Sequence, residues 1–302
     1  MIVLKISHGP WERFYDPSIE KDGTREQWYI NDHCIVKAQD GTWHMFGITG
    51  TEPFNPLEEK FFAHATAKSL TDKNWTRQEH VMHYSPEHGE GIVWAPCVHY
   101  HDGLYYMYYC GGSTELGVVD GKSVGGDIFR IQLATSKDLY NWERHPANPM
   151  LIDGWAARDP FVMRIGDEWV MYYTCTSTPQ GGNYCVAAVT SKDLITWGNK
   201  RNVFVHEMTG KDGGPCESPY VVKHKDSYLL LIGPYGPSYR DDYAKTAVII
   251  SDDPFSFKAE NQVGLIAAHA GELILDDDGQ FYATHCGWMQ DGLFIAPVTI
   301  ED

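Results

Sequence analysis

The stretch Arg158-Asp-Pro-Phe-Val-Met-Arg-Ile-Gly-Asp-Glu-Trp-Val-Met-Tyr-Tyr173 reads as a strand, a tight turn and a second strand. The same grammar recurs along the chain. It appears as Asp32-His-Cys-Ile-Val-Lys37 with a turn at Asp40-Gly41, and as Trp94-Ala-Pro-Cys-Val-His-Tyr-His-Asp-Gly-Leu-Tyr-Tyr-Met-Tyr-Tyr109. It returns as Glu217-Ser-Pro-Tyr-Val-Val-Lys-His-Lys-Asp-Ser-Tyr-Leu-Leu-Leu231 and as His269-Ala-Gly-Glu-Leu-Ile-Leu-Asp-Asp-Asp-Gly-Gln-Phe-Tyr-Ala-Thr-His285. A unit repeated at a fixed period stacks on its neighbours. Each copy continues into a third, small apolar run such as Tyr184-Cys-Val-Ala-Ala-Val-Thr190. That run ends in Ser136-Lys-Asp-Leu-Tyr-Asn-Trp142, Ser191-Lys-Asp-Leu-Ile-Thr-Trp197, the looser Ser69-Leu-Thr-Asp-Lys-Asn-Trp75 or the degenerate Ser251-Asp-Asp-Pro-Phe-Ser-Phe257. The Ser/Asp start is a turn signal, and the closing aromatic is expected to plug between sheets. A short outer strand completes each unit.

Five such units account for the 302 residues. No segment sustains helical periodicity, which excludes a parallel α/β architecture. The expected fold is all-β: a five-bladed β-propeller of four-stranded antiparallel blades around a central channel. Because no Pro/Ser-rich linker interrupts the repeat, residues 1–302 are expected to form one domain. Residues 1–28 are irregular and aromatic, and either add a strand that closes the ring or lie over the site. Two Gly-rich insertions, 112–126 and 233–242, are candidate functional rims.

A formal net charge of -17 disfavours nucleic acid and anionic membrane as partners. Aromatic residues reach 13%, which suits sheet cores and sugar-binding surfaces alike. The seven cysteines form an odd set without zinc-type spacing. Residues 1–8 lack a signal peptide's apolar run, and no stretch is long and apolar enough to span a membrane. The chain as given is therefore expected to be cytoplasmic and reduced, or secreted if a leader has been removed.

The first strand of each propeller blade lines the channel. Asp32, Asp159 and Glu217 all stand at the start of such a strand, in an expected shared register. An Asp before a strand is commonly a turn residue. Three acids from three blades at one channel mouth instead suit glycoside hydrolysis, which needs one carboxyl to protonate the leaving oxygen and another to activate water or attack the sugar. A third carboxylate can hold the acid's pKa up.

At these residues the chain resembles the five-bladed glycoside hydrolases of family 43 and its relatives, families 32, 62, 68 and 117. The resemblance covers residues ~30–298 by repeat pattern. It implies Asp32 as general base, Asp159 as the residue that modulates the acid's pKa, and Glu217 as general acid. It implies an oligo- or polysaccharide substrate with a neutral pentose at the cleaved bond, an arabinofuranoside or xyloside, and inversion of configuration. Asn31-Asp32 and Arg158-Asp159-Pro160 are similar to families 32 and 68, whose first Asp is a nucleophile and whose configuration is retained. His33 stands where family 43 has Pro. A retaining fructosidase-like hydrolase and a non-catalytic carbohydrate-binding propeller are the alternatives.

Trp94 and Trp155 are candidate sugar-stacking platforms or core plugs. Arg158 is a candidate donor to a sugar hydroxyl or a charge partner of Asp159. His33 and His285 are candidate substrate contacts or packed channel residues. His269 is a candidate substrate contact, ion ligand or packed channel residue; it resembles the family's axial histidine beside a bound ion or water, so a structural Ca2+ or other axial ion is a further expectation. No cofactor is required. Asp276-Asp-Asp-Gly279 is read as a hairpin turn, its calcium-loop pattern being incomplete.

Overall fold

The computed structural model describes residues 4–112, 117–119, 122–124, 129–154, 156–176, 185–206, 217–287 and 291–301. Among them there is no α-helix. Three 3-10 turns, Pro56–Glu58, Pro86–His88 and Ala259–Asn261, are the helical elements, so the all-β expectation holds. No helix is long and apolar enough to cross a membrane.

Five antiparallel meanders follow one another. The first comprises Trp28–Lys37, Trp43–Thr51, Phe62–Ala67 and Thr76–Arg77. The second comprises Ile92–His101, Leu104–Gly112, Phe129–Ser136 and Glu143–Arg144. The third comprises Ala156–Ile165, Glu168–Thr176, Cys185–Ser191 and Gly198–Val205. A single parallel pair, Phe129 with Ala156, joins the second and third into one sheet. The fourth comprises Glu217–His224, Ser227–Gly233, Thr246–Ser251 and Gln262–Ile266. The fifth has Leu273–Leu275, Phe281–His285 and Leu293–Glu301. The chain's own beginning completes it: Lys5–His8 pairs antiparallel with Val298 to Glu301, and Glu12–Tyr15 pairs antiparallel with Leu293 to Ile295. Of the two expected roles for residues 1–28, strand addition is the one found for this segment.

The turns between first and second strands meet their backbone demands. Gly41, Gly103, Gly166 and Gly279 have φ of +88, +85, +63 and +83°, where a side chain would be strained.

The core follows from the two-residue period of a strand. In Glu168–Thr176, Trp169, Met171, Tyr173 and Cys175 pack toward the second unit, and Val170 and Tyr172 toward the fourth. The same alternation places Tyr108 against the third unit, and Tyr105, Met107 and Tyr109 against the first. Five clusters result, each shared by two successive units. The fifth joins Ile274, Leu293 and Ile295 of the last unit to Trp43 and Met45 of the first. The closing aromatics sit between units as expected. Trp142 meets Phe46 edge-on at 5.7 Å, Trp197 meets Tyr108 at 5.6 Å, and Trp75 packs on Phe14 at 5.2 Å. The Ser-Lys-Asp-Leu turn also contributes its leucine. Asp138 and Asp193 accept the next backbone N–H groups, which turns Leu139 and Leu194 to φ of +67 and +64° and buries both.

Ile6, buried by Leu229, Leu231, Ala268 and Val298, carries the N-terminal strand's contribution to the core. Ile6→Ala is expected to cost about 2–5 kcal/mol in denaturant unfolding, and Ile152→Ala, at an exposed site, under about 0.5 kcal/mol. Equal midpoints for the two variants would contradict a core role for the N-terminal strand.

Candidate active site

The three acids do not share one register. In the inner strand of each of the first four units the ladder slips: Ile30 pairs with Thr49 but His33 with Gly47, and Trp94 with Cys110 but Cys97 with Tyr108. Arg158 pairs with Thr174 but Phe161 with Tyr172, and Glu217 with Gly233 but Tyr220 with Leu231. Each slip is a bulge that leaves two residues outside the ladder. Glu217 is the last paired residue before its bulge, Asp159 the first bulged residue and Asp32 the second. The prolines mark part of this offset in the sequence: Asp159 directly precedes Pro160, whereas Glu217 stands two residues before Pro219. The left-handed bulge residues Ala95, Asp159 and Ser218, with φ of +47, +54 and +54°, are each followed by proline. Proline has no N–H to lose from the ladder there.

The bulges turn these side chains toward one another. Ser218 links two acids. Its hydroxyl donates to Asp32 Oδ1 at 3.1 Å, and its backbone N–H donates to Asp159 Oδ2 at 3.0 Å. Arg158 links Asp159 and Glu217, with Nε 3.6 Å from Asp159 Oδ2 and Nη2 donating to Glu217 Oε2 at 3.4 Å. Tyr239 donates its hydroxyl to Glu217 Oε1 at 2.9 Å. His269 Nε2 lies 3.3 Å from Asp32 Oδ1, and its ring stacks on Tyr243 at 3.7 Å. Tyr243 in turn donates to Asn31 Oδ1 at 3.0 Å.

These groups line a pocket with about 480 Å³ of open space, walled also by Ile48, Phe54, Pro56, Glu59 and Trp94. A narrower cavity continues past Asp32 and Asp159, lined by His33, Cys97, Phe161, Tyr220 and Glu272.

Charge in this site is unevenly held. Burial acts to raise the Asp32 carboxyl, but the hydrogen bond and charge of His269, with the Ser218 hydroxyl, outweigh it and hold its pKa below the ordinary range. Burial pushes Asp159 up to about 7, against Arg158 and with help from Asp32 and Glu217. Burial also raises Glu217, with the Asp32 charge adding and Arg158 and His269 opposing. For His269 burial acts downward, but Asp32 and Glu217 overcome it and raise the imidazole. One carboxyl is thus held below its ordinary range beside two that are held above theirs.

The other expected site residues divide. Trp94 and Arg158 line the pocket. His33 faces the inner cavity, hydrogen-bonded through Nε2 to Thr284 Oγ1 at 2.7 Å, and burial depresses it to about 3. His285 stands behind His269, accepting its backbone N–H at Nδ1, 2.9 Å away, and touches Trp11. Trp155 lies outside the described residues. His269 has both ring nitrogens engaged, Nε2 with Asp32 and Nδ1 with the Tyr243 carbonyl at 3.3 Å. Neither is left over for an ion in this arrangement, and the described residues contain no group of three His, Cys, Asp or Glu side chains placed to hold a metal. Sequence reasoning missed Ser218, Tyr239, Tyr243 and Glu59. The 233–242 insertion was legible as a rim and supplies Tyr239. Glu59 sits in no repeated motif.

Comparison with known proteins gives the family. Residues 24–296 match the family model described as the glycosyl hydrolases family 32 N-terminal domain, and the chain belongs to that family. It is 23% identical over 222 residues to the extracellular endo-α-(1→5)-L-arabinanase 1 of Bacillus subtilis (strain 168). That stretch covers 67% of this chain and 58% of the arabinanase, so the match spans under two thirds of that relative. The fold is similar to that of an α-L-arabinofuranosidase from Lactobacillus brevis, with a TM-score of 0.66, 15% identity, and coverage of 89% of this chain and 90% of that one. It is also similar to a thermostable family-43 glycoside hydrolase, with a TM-score of 0.63, 16% identity, and coverage of 91% and 89%. For the Bombyx mori family-32 β-fructofuranosidase the TM-score is 0.61 at 19% identity, covering 90% of this chain and 59% of that one.

The raised Asp159 has a stability consequence. The unfolded carboxyl loses its proton near 3.8 and the folded one near 7, so the penalty for folding grows between those values and is complete above them. Asn at 159 can still accept the Ser218 N–H. Asp159→Asn is therefore expected to raise the Tm by several degrees at about pH 8 and to change it little at about pH 4. A lower Tm at the higher pH would contradict the assignment.

Proposed function

We propose that this family-32 glycoside hydrolase cleaves a neutral pentose-type bond, an arabinofuranoside or xyloside, in an oligo- or polysaccharide. Glu217 is the general acid and Asp32 the general base. The observation that carries this reading is the division of charge within one pocket: His269 and Ser218 favour the Asp32 carboxylate, while burial favours the Glu217 acid. Neighbouring carboxyls whose environments push their pKa values apart are suited to acid and base roles. The arabinanase and arabinofuranosidase relatives support the sugar class. The five meanders with their five shared clusters support a single domain of five blades, 1–302, around a central channel.

In this mechanism the Glu217 proton passes to the glycosidic oxygen as the bond to the anomeric carbon breaks. Asp32 takes a proton from the water that attacks the other face of the sugar. Positive charge develops on the ring between them. Asp159 and Arg158 hold sugar hydroxyls, and burial together with the Asp32 charge sustains the raised pKa of Glu217. Tyr239, donating to Glu217 Oε1, and Arg158, donating to Oε2, position the carboxyl group.

A retaining route is the second reading. It is favoured by Asn31-Asp32, by Arg158-Asp159-Pro160 and by the family-32 match. Asp32 then attacks the anomeric carbon itself, and Glu217 returns as base to release the glycosyl group by water.

Asp32→Asn and Glu217→Gln should each lower kcat/KM about 10²–10⁴-fold on the poor-leaving-group substrate that turns over among phenyl α-L-arabinofuranoside, phenyl β-D-xyloside and sucrose, with folding intact by circular dichroism. Near-normal rates in either variant would overturn the assignment. Proton NMR of the first-formed sugar distinguishes the routes, the opposite anomer being expected for inversion and the same anomer for retention.

A further inference from the structure

Glu59 follows the 3-10 turn Pro56–Glu58, which Asn55 caps by accepting the Leu57 N–H. Its backbone carbonyl accepts the Val93 N–H at 3.1 Å, tying it to the start of the second unit's inner strand. Its side chain is 2% exposed and lines the same pocket as Asp32, Trp94, Arg158 and Glu217. The Tyr29 hydroxyl donates to Glu59 Oε1 at 3.0 Å. No lysine or arginine among the described residues forms an ion pair with it. The adjacent Lys60 turns away to the Gly91 carbonyl at 2.6 Å and to the face of Tyr84.

A carboxylate buried without a cation is costly, and such a group lowers that cost by keeping its proton. A protonated carboxyl has one O–H to donate besides its acceptor oxygen. With Tyr29 satisfying Oε1, the donor of the second oxygen needs an acceptor, and a sugar in the pocket presents hydroxyl oxygens. We infer that Glu59 is a further substrate-binding residue: an uncharged carboxylic acid on the pocket wall that donates a hydrogen bond to a hydroxyl of the bound sugar. The inference rests on the hydrolase reading above and deepens it, since it assigns recognition of an uncharged, hydroxyl-bearing ring to a residue outside the acid–base set.

The surroundings of Glu59 are consistent with this state. Burial raises it to about 8, the Asp32 charge adds, and the Tyr29 and Trp94 side chains oppose. The groups facing it are Tyr29 and Asp32 from the first inner strand and Trp94 from the second. Glu52 and Glu58 lie further out, where they act on Tyr29. None of them supplies a positive charge. As pH rises through that value the donor is lost and a second negative charge appears near Asp32, so sugar binding weakens.

The test compares the full-length wild type, Glu59→Gln and Glu59→Ala on p-nitrophenyl α-L-arabinofuranoside and β-D-xyloside between about pH 5 and 9.5, with Glu217→Gln as control. Glu59→Ala should raise KM about tenfold or more with a smaller change in kcat, because it removes a binding contact. Glu59→Gln keeps a donor that cannot titrate. It should hold KM within about threefold of wild type below pH 8 and lack the wild-type rise in KM above it. Wild-type turnover with unchanged KM in Glu59→Ala, or with identical pH profiles for wild type and Glu59→Gln, would overturn the role of Glu59 alone. Absence of wild-type turnover on both sugars would overturn this inference together with the pentosidase reading.

Discussion

Three carboxyl groups cannot all be ionised in one buried pocket, and the site is built around that constraint. Like charges at short range in a low dielectric repel strongly, so neighbouring acids divide into ionised and protonated forms. Here the division follows the partners. Asp32 receives the imidazole of His269 and the Ser218 hydroxyl. Asp159 and Glu217 share the single guanidinium of Arg158, and burial dominates both. A hydrolase needs a base and an acid with opposite protonation at one pH, and this pocket provides that contrast without a metal ion in any proposed step.

The fold makes the convergence through its bulges. A regular strand would alternate its side chains between the two neighbouring core clusters, as Glu168–Thr176 does. At the start of the inner strands two residues leave the ladder, and the side chains there are redirected to a common pocket. The cost is left-handed backbone at Ala95, Asp159 and Ser218, about 1–3 kcal/mol each for non-glycine residues. The five interlocking clusters offset it, and the N-terminal strand completes the last of the five units.

The repeat was legible because its determinants are local. Turn pairs such as Asp102-Gly103, the alternation of strand residues and the Ser-Lys-Asp-Leu plugs are each written in a few adjacent positions. Asp32, Asp159, Glu217, Arg158, Trp94 and His269 were legible for the same reason, since they stand at a repeated place in the unit. What was not legible depends on three-dimensional offsets. The offset of Glu217 from Asp159 shows in their distances to Pro219 and Pro160, but the place of Asp32, which no proline follows, is set only by the ladder pairing. Ser218 reads as a spacer before proline and becomes the bridge between two carboxyls only because its bulge is left-handed. His33 and His285 read as pocket residues, but strand alternation and the fifth unit's packing place one below the acids and the other behind His269. Glu59 lies in an irregular turn between repeats, where no periodicity marks it.

The central claim is that Glu217 supplies the proton to the departing oxygen while Asp32 acts on the other face of the sugar. The most direct measurement is kcat/KM for wild type, Glu217→Gln and Asp32→Asn on one glycone with leaving groups of widely different acidity. A good leaving group departs without a proton. The Glu217→Gln defect should therefore be large for a poor leaving group and shrink toward wild type for dinitrophenolate, while the Asp32→Asn defect stays large on both. A Glu217→Gln defect that is the same for every leaving group would contradict the account.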